Sequence, residues 1–210
     1  MKHEVKGEVL SLLPEKAMLW QDKKMLILAD LHLGKITHFR KQGIPLPKEV
    51  ELDNFDRFSY LILNYPIDTI LILGDLFHSD YNSEWQNFLK FINQFPEKNF
   101  ILVKGNHDIL DPALYVGENL ELHEHSLEIG PFSFTHIPEK NKLFNICGHI
   151  HPSVRLKGKG LQRLKLSCFY FKENQAILPA FGSFTGTHRL EPTTGDIIFA
   201  IGGERVIRVY

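Results

Sequence analysis

The sequence predicts an α/β protein, a four-layer α/β/β/α sandwich of two mixed sheets packed face to face with helices outside. Five short apolar runs, rich in Ile, Leu and Phe, each end on a polar residue able to hold a metal or move a proton. Runs of that kind read as strands buried on both faces. In the first half they alternate with segments of helical periodicity, which implies parallel pairing through crossover helices. After about Asn119 that periodicity vanishes, and short strands separated by Gly, Pro and Asn follow, the pattern of a mixed or antiparallel sheet.

Element by element, Val9–Leu13 and Ala17–Trp20 flank Pro14-Glu15-Lys16 and predict a hairpin leading into a strand at Met25–Ala29. Pro45-Leu46-Pro47 breaks the chain before a helix from about Lys48 to Asn64, where Leu52, Phe55, Phe58 and Ile62 recur at three- and four-residue spacing. A strand at Ile70–Leu73 follows. A second helix is expected over Ser83 to Phe95, with Trp85, Phe88, Leu89 and Ile92 inward and Pro96 as its stop. Phe100–Val103 is the next strand. The second half predicts strands at Ser126–Ile129, Phe132–Thr135, Leu143–Cys147, Ser153–Leu156, Arg163–Phe171, Asp196–Ile201 and Arg205–Tyr210. No internal repeat, low-complexity tract or linker interrupts the chain, so its 210 residues predict a single domain spanning 1–210.

Composition narrows the setting. Hydrophobic content of 43% with 23% charged residues is that of a globular protein in water. No stretch approaches the roughly 20 apolar residues of a membrane span, and Met1-Lys2-His3-Glu4-Val5 lacks the apolar region of a signal peptide. Two cysteines, Cys147 and Cys168, indicate no disulfide framework and fit a reducing, cytoplasmic setting. A net charge of -1 argues against a broadly basic surface, although a local basic patch is compatible with it.

The strand ends carry the chemistry. In order they present Asp30-Leu31-His32, Gly74-Asp75, Gly105-Asn106-His107-Asp108, His136 and Gly148-His149-Ile150-His151. Ligands in open α/β sheets bind beyond the carboxyl ends of the strands. A single Asp after a strand is usually a turn former, a single His is usually a satisfied surface or core residue, and Asn106 could serve only to hold a left-handed turn. Taken jointly, those readings need several polar residues to reach corresponding strand ends for unrelated reasons. Asp30, His32, Asp75, Asn106, His136, His149 and His151 are seven nitrogen and oxygen donors, more of this mixed kind than one metal takes. Two metals sharing a bridging carboxylate would use them all, and such pairs recur in phosphatases and nucleases. With no thiolate in the set, the donors point to Mn, Fe, Zn or Ni rather than to a structural cysteine-type zinc site.

This ordered set resembles the calcineurin-like metallophosphoesterase superfamily, whose pattern is matched from Asp30 to His151. Ala29–Lys35, Phe39 with Gly43–Pro47, Gly74–Ser79 and Leu178–Gly186 are most similar to the DNA-ligase-associated metallophosphoesterases, which are encoded beside an ATP-dependent DNA ligase and a helicase. The resemblance implies a fold of the metallo-dependent phosphatase type and two divalent ions, Mn2+ in first place. One ion would be held by Asp30, His32 and His151, the other by Asn106, His136 and His149, with Asp75 bridging and attack by a metal-bridged hydroxide. His107 would protonate the leaving oxygen or stabilise charge there. Asp108 would orient the His107 ring or cap the following segment.

His78, Lys35 and Arg40 follow the first two motifs and are candidate substrate contacts, and the turn at Gly182–Gly186 is a candidate neighbour of the site. The leading reading is a phosphodiesterase acting on nucleotides or nucleic-acid ends, 2′,3′-cyclic nucleotides included, in a DNA-repair setting. A DNA nuclease or end-processing enzyme and a phosphomonoesterase are the alternatives; the absence of a basic run counts against a nuclease. A non-catalytic scaffold would have no need of the seven donors and His107.

Overall fold

The computed structural model describes residues 1–33, 49–77, 83–158, 160, 162–183 and 185–210, with only the backbone of 49–52 and 83. Lys35, Arg40 and His78 therefore lie outside the described residues, as do Phe39, the Gly43–Pro47 segment and Phe184.

The first sheet has seven strands in sequence order: β1 (Lys2–Val5), β2 (Glu8–Leu12), β3 (Met18–Trp20), β4 (Met25–Leu28), β5 (Thr69–Leu73), β6 (Asn99–Val103) and β7 (Leu120–His123). The expected hairpin is present as β2 and β3, and pairing is antiparallel up to β4. From β4 onward it is parallel, as crossover connections require. Among the described residues two α-helices serve this sheet, α1 (Glu49–Asn64) and α2 (Ser83–Ile92). The α2 helix stops three residues short of the expected end, since Gln94 and Phe95 donate back to Phe91 and Ile92 in tighter turns before Pro96.

The second sheet is mixed. It contains β8 (Ser126–Ile129), β9 (Phe132–Thr135), β10 (Phe144–Cys147), β11 (Pro152–Lys157), β12 (Arg163–Lys172), β13 (Gln175–Ile177) and β14 (His188–Arg189), with β15 (Ile197–Gly202) added on β12 and β16 (Arg205–Arg208) on β15. Its order is β14-β11-β12-β13-β10-β9-β8; β9, β10 and β13 run parallel, while β11 and β13 both pair antiparallel with β12.

Period-2 alternation sorts the side chains into layers. Leu26 and Leu28 of β4 and Ile70 and Ile72 of β5 meet Phe58, Leu61, Trp85 and Phe88 of the helices. Their neighbours Ile27, Leu71 and Leu73 face Phe132, Phe134, Ile146, Phe169 and Phe199 of the second sheet. Trp20 sits edge-on to Phe132 at 4.9 Å, sealing one end of the layer between the sheets. The outer face of the second sheet carries a smaller cluster around Cys147, Cys168, Tyr170 and Ile198, flanked by Leu190 and Val209. Both α-helices among the described residues lie on the first sheet. No helix among the described residues is long and apolar enough to cross a membrane.

Candidate metal centre

Both sheets deliver polar residues to one edge. Asp30 and His32 follow β4, Asp75 follows β5, and Asn106 follows β6, all at carboxyl ends of parallel strands. His136 follows β9, while His149 and His151 follow β10, its parallel neighbour. Leu31, between the first two donors, is buried in the helix-side core, so the apolar residue turns inward while its neighbours face the centre.

The backbone shows how this is done. Eight non-glycine residues have positive φ among the described residues, and five of them are Asp30 (56°), His32 (47°), Asp75 (49°), His149 (66°) and His151 (51°). The other three are lysines, Lys6, Lys16 and Lys24. A left-handed residue costs roughly 1–3 kcal/mol, and such strain concentrates where function needs a particular side-chain direction. Asp and His tolerate that region better than branched residues do. Asn106, for which holding a left-handed turn is the alternative role, is not among these residues. Glycines make the close approach possible: a Cβ on Gly74 would fall on the His136 ring, and one on Gly105 would fall on the Asp75 backbone and carboxylate.

Two groups of donors result. Asp30, His32 and His151 have ligand atoms within 4.8 Å of one another, and so do Asp75, His136 and His149. Asn106 joins the second group, its Oδ1 lying 3.0 Å from His136 Nε2. Asp75 reaches both: Oδ1 is 3.3 Å from His136 Nε2, and Oδ2 is 3.8 Å from His32 Nε2. Asp30 is fully buried and accepts from the His149 backbone N–H, which ties the two sheets together at the donors.

Hydrogen bonds outside the groups fix the rings. His136 donates Nδ1–H to the Leu73 carbonyl at 2.9 Å, and His151 donates Nδ1–H to the Gly186 carbonyl at 3.0 Å. A carbonyl can only accept, so when each ring is neutral its Nε2 turns an unprotonated lone pair toward the centre. Around His136 Nε2 stand Asn106 Oδ1, Asp75 Oδ1 and, at 3.2 Å, His149 Nδ1. Across the centre His32 Nε2 lies 3.4 Å from His151 Nε2. So many lone pairs around buried carboxylates repel one another without a cation among them, and the donor set suits divalent ions of the nitrogen- and oxygen-binding kind. Burial above all lowers the His149 pKa, which keeps that ring neutral as ligation requires. The sulfur of Cys147 points away, toward the Ala176 carbonyl.

His107 lies just outside the donor groups. Its backbone N–H donates to Asp75 Oδ1 at 2.9 Å, and its ring centroid is 5.7 Å from that of His32. Asp108 accepts from Phe77 N–H at 3.0 Å and Gly105 N–H at 2.8 Å, joining the loops after β5 and β6. Burial is the main cause raising the Asp108 carboxyl to about 7, against the lowering effect of those two hydrogen bonds.

The Gly182–Gly186 turn does border the site. Gly182 N–H donates to the Asp30 carbonyl at 3.0 Å, and Gly186 supplies the acceptor for His151. Arg57 of α1 stacks 4.3 Å from the Phe181 ring and bonds the Phe181 carbonyl, while Asn54 accepts from Ser183 N–H at 3.1 Å. The sequence holds no signal for this clamp, because Arg57 and Asn54 stand on a helix far from the motifs.

Residues 23–184 match the family model described as calcineurin-like phosphoesterase. Among solved structures, the crystal structure of Pseudomonas putida nuclease MPE is similar over 100% of this chain and 99% of that one, at 25% identity and a TM-score of 0.82. A protein of unknown function, AQ665 from Aquifex aeolicus, aligns with 65% of this chain and 82% of its own, at 20% identity and a TM-score of 0.44. No curated protein matches the chain. The matched segment begins before Asp30 and ends after His151, so it contains every donor of both groups, and the chain belongs to the calcineurin-like phosphoesterase family.

Proposed function

We propose that this protein is a binuclear metal-dependent phosphodiesterase acting on nucleotide or nucleic-acid phosphodiesters. The observation that carries the reading is the pair of donor groups joined by Asp75, with His107 beside them. Asp30, His32 and His151 would hold one ion and Asn106, His136 and His149 the other, with Asp75 shared; Mn2+ is the leading candidate and Fe, Zn or Ni the alternatives. Bound there, divalent ions supply Lewis-acid charge and a deprotonated water at neutral pH.

The chain supplies the rest. The Leu73 and Gly186 carbonyls hold His136 and His151 in the tautomer that leaves Nε2 without a proton. Asp75 holds the His107 backbone, so that a ring nitrogen of His107 can pass its proton to the leaving alkoxide oxygen, a step worth roughly 10²–10⁴-fold. Asp108 positions His107 by fixing the loop that carries it. Lys35, Arg40 and His78 remain candidate substrate contacts.

Likeness to a nuclease over the whole chain favours polymeric nucleic acid as the second reading. The resemblance of Ala29–Lys35 and Leu178–Gly186 to ligase-associated enzymes supports a role in cytoplasmic DNA repair beside an ATP-dependent ligase and a helicase. A panel with Mn2+ tests the reaction class: bis(4-nitrophenyl) phosphate and 2′,3′-cyclic nucleotides should be hydrolysed faster than 4-nitrophenyl phosphate. A monoester turned over ten times better, a preference of roughly 1.4 kcal/mol at the transition state, would make the protein a phosphatase.

A further inference from the structure

Charge is unevenly distributed along this chain. Between Lys140 and Lys172 there are eight Lys and Arg and no Asp or Glu, although the whole chain has a net charge of -1. Within that span the antiparallel pair β11–β12 sets Arg155 directly opposite Lys165 and Lys157 directly opposite Arg163. All four side chains are exposed. Like charges facing each other across a ladder destabilise it, so the arrangement has a cost in the isolated protein that an anionic partner would remove.

The direction and face of this cationic ladder follow from register. Cys147, the last residue of β10 before the donors, is level with Ile177, and Ile177 is level with Tyr170 of β12. β12 runs antiparallel to β13, so its residues before Tyr170 extend past the edge where the donors sit. Lys165 is five residues beyond that level, about 17 Å, and Arg163 about 23 Å. Alternation fixes the side: Phe169 and Phe171 point into the layer between the sheets, so Ser167, Lys165 and Arg163 share their face. Ser153, opposite Ser167, puts Arg155 and Lys157 on that face as well. The other face carries Val154, Leu156 and Leu166, packed in the outer cluster. β11 itself starts one residue after His151, and Lys165 donates to the Thr187 carbonyl, next to the Gly186 carbonyl that holds His151.

We infer that β11 and β12 form an arm that holds the phosphate backbone of a nucleic-acid strand, with Arg155, Lys157, Arg163 and Lys165 contacting phosphates that flank the one at the metal centre. The inference rests on the proposed phosphodiesterase reading and names the part of the chain that would select a polymer over a small diester. Paired rows of cations on a strand scaffold contact successive phosphates without reading bases, so binding would be salt-dependent and indifferent to sequence.

The test uses the full-length triple variant Arg155→Gln, Lys157→Gln, Arg163→Gln, leaving Lys165 in place because it also bonds Thr187. Affinity for a fluorescent single-stranded oligonucleotide is measured against NaCl concentration. The slope of log K on log salt should shrink by about 2, at about 0.7 for each phosphate that is no longer neutralised. The kcat/KM ratio of oligonucleotide to bis(4-nitrophenyl) phosphate should fall by at least about ten-fold. Thermal melts establish that the variant folds, and Lys157→Gln alone, with about a third of the slope change, keeps the test available if it does not. An unchanged slope and ratio would overturn the arm. So would binding of phosphatidylserine vesicles but no oligonucleotide, which would assign the surface to a membrane. Turnover of neither substrate by the metal-loaded wild type would sink the phosphodiesterase reading, while a variant-sensitive salt slope in that same protein would leave the arm standing.

Discussion

Replacing Asp75 with Asn separates a shared donor from two independent sites. Asn keeps the shape, tolerates the φ of 49° as Asp does, and can still accept from the His107 backbone N–H. What it loses is one negative charge that lies 3.3 Å from His136 Nε2 in one donor group and 3.8 Å from His32 Nε2 in the other. Shared between two divalent ions, half the carboxylate charge toward each is equivalent to one pair of unit charges, which at about 4 Å and an effective dielectric near 20 interact by about 4 kcal/mol, or roughly three orders of magnitude in affinity. Both ions should therefore bind about 10³-fold more weakly, measured by competition with a chelator of known affinity. The metal-free variant should melt no lower than metal-free wild type, because a buried carboxylate among lone pairs has been neutralised. If only one of the two binding events weakened, or both weakened less than ten-fold, Asp75 would not be the shared donor.

Three further outcomes follow from the same structure. His107→Ala should retain both metals yet lose roughly 10²-fold on a diester with an alkoxide leaving group and less on a nitrophenyl diester; equal losses in steady-state rates would exclude the proton-transfer role. Phe134→Ala opens a void between the sheets and should cost about 3–5 kcal/mol in urea denaturation, and a loss below about 1 kcal/mol would show that the layer repacks. At Asp196, burial acts to raise the carboxyl pKa, but hydrogen bonds from Tyr170 and Thr193 outweigh it and hold the group below the usual carboxylate range. A depressed carboxylate adds stability that is complete above its unfolded pKa, about 3.9, and is lost as pH falls through the folded value. Asp196→Asn should therefore lower Tm at pH 7 while flattening its decline between pH 5 and 3, and an unaltered acid limb would contradict the assignment.

The donors are legible in the sequence because each ends an apolar run, and such a run can be read from a handful of residues. Their left-handed backbone is not legible, since Asp and His are ordinary residues until the chain on both sides is fixed. The edges of the sheets are equally hidden. β1, Lys2-His3-Glu4-Val5, buries only Val5, and β14 is two exposed residues, so their pairing partners alone make them strands. The strand β7 escapes for a similar reason: Leu120-Glu121-Leu122-His123 is too short and too polar to announce itself. The cationic arm forms no basic run because its charges alternate with leucines and meet only across the ladder. A linear count of charge sees none of that.

Each donor group draws on both sheets: Asp30 and His32 face His151 in one, and Asp75 and Asn106 face His136 and His149 in the other. An ion in either group would act as a rivet between two plates whose facing layers are mainly greasy. Because both rivets sit at the same rim, chelation should loosen the protein like a book opened from its fore-edge, with the Trp20–Phe132 end as the spine. Amide exchange should accelerate first in the loops after β4, β5, β9 and β10. Free metal at a hundred times its dissociation constant would restrain that opening by about 2.7 kcal/mol per ion.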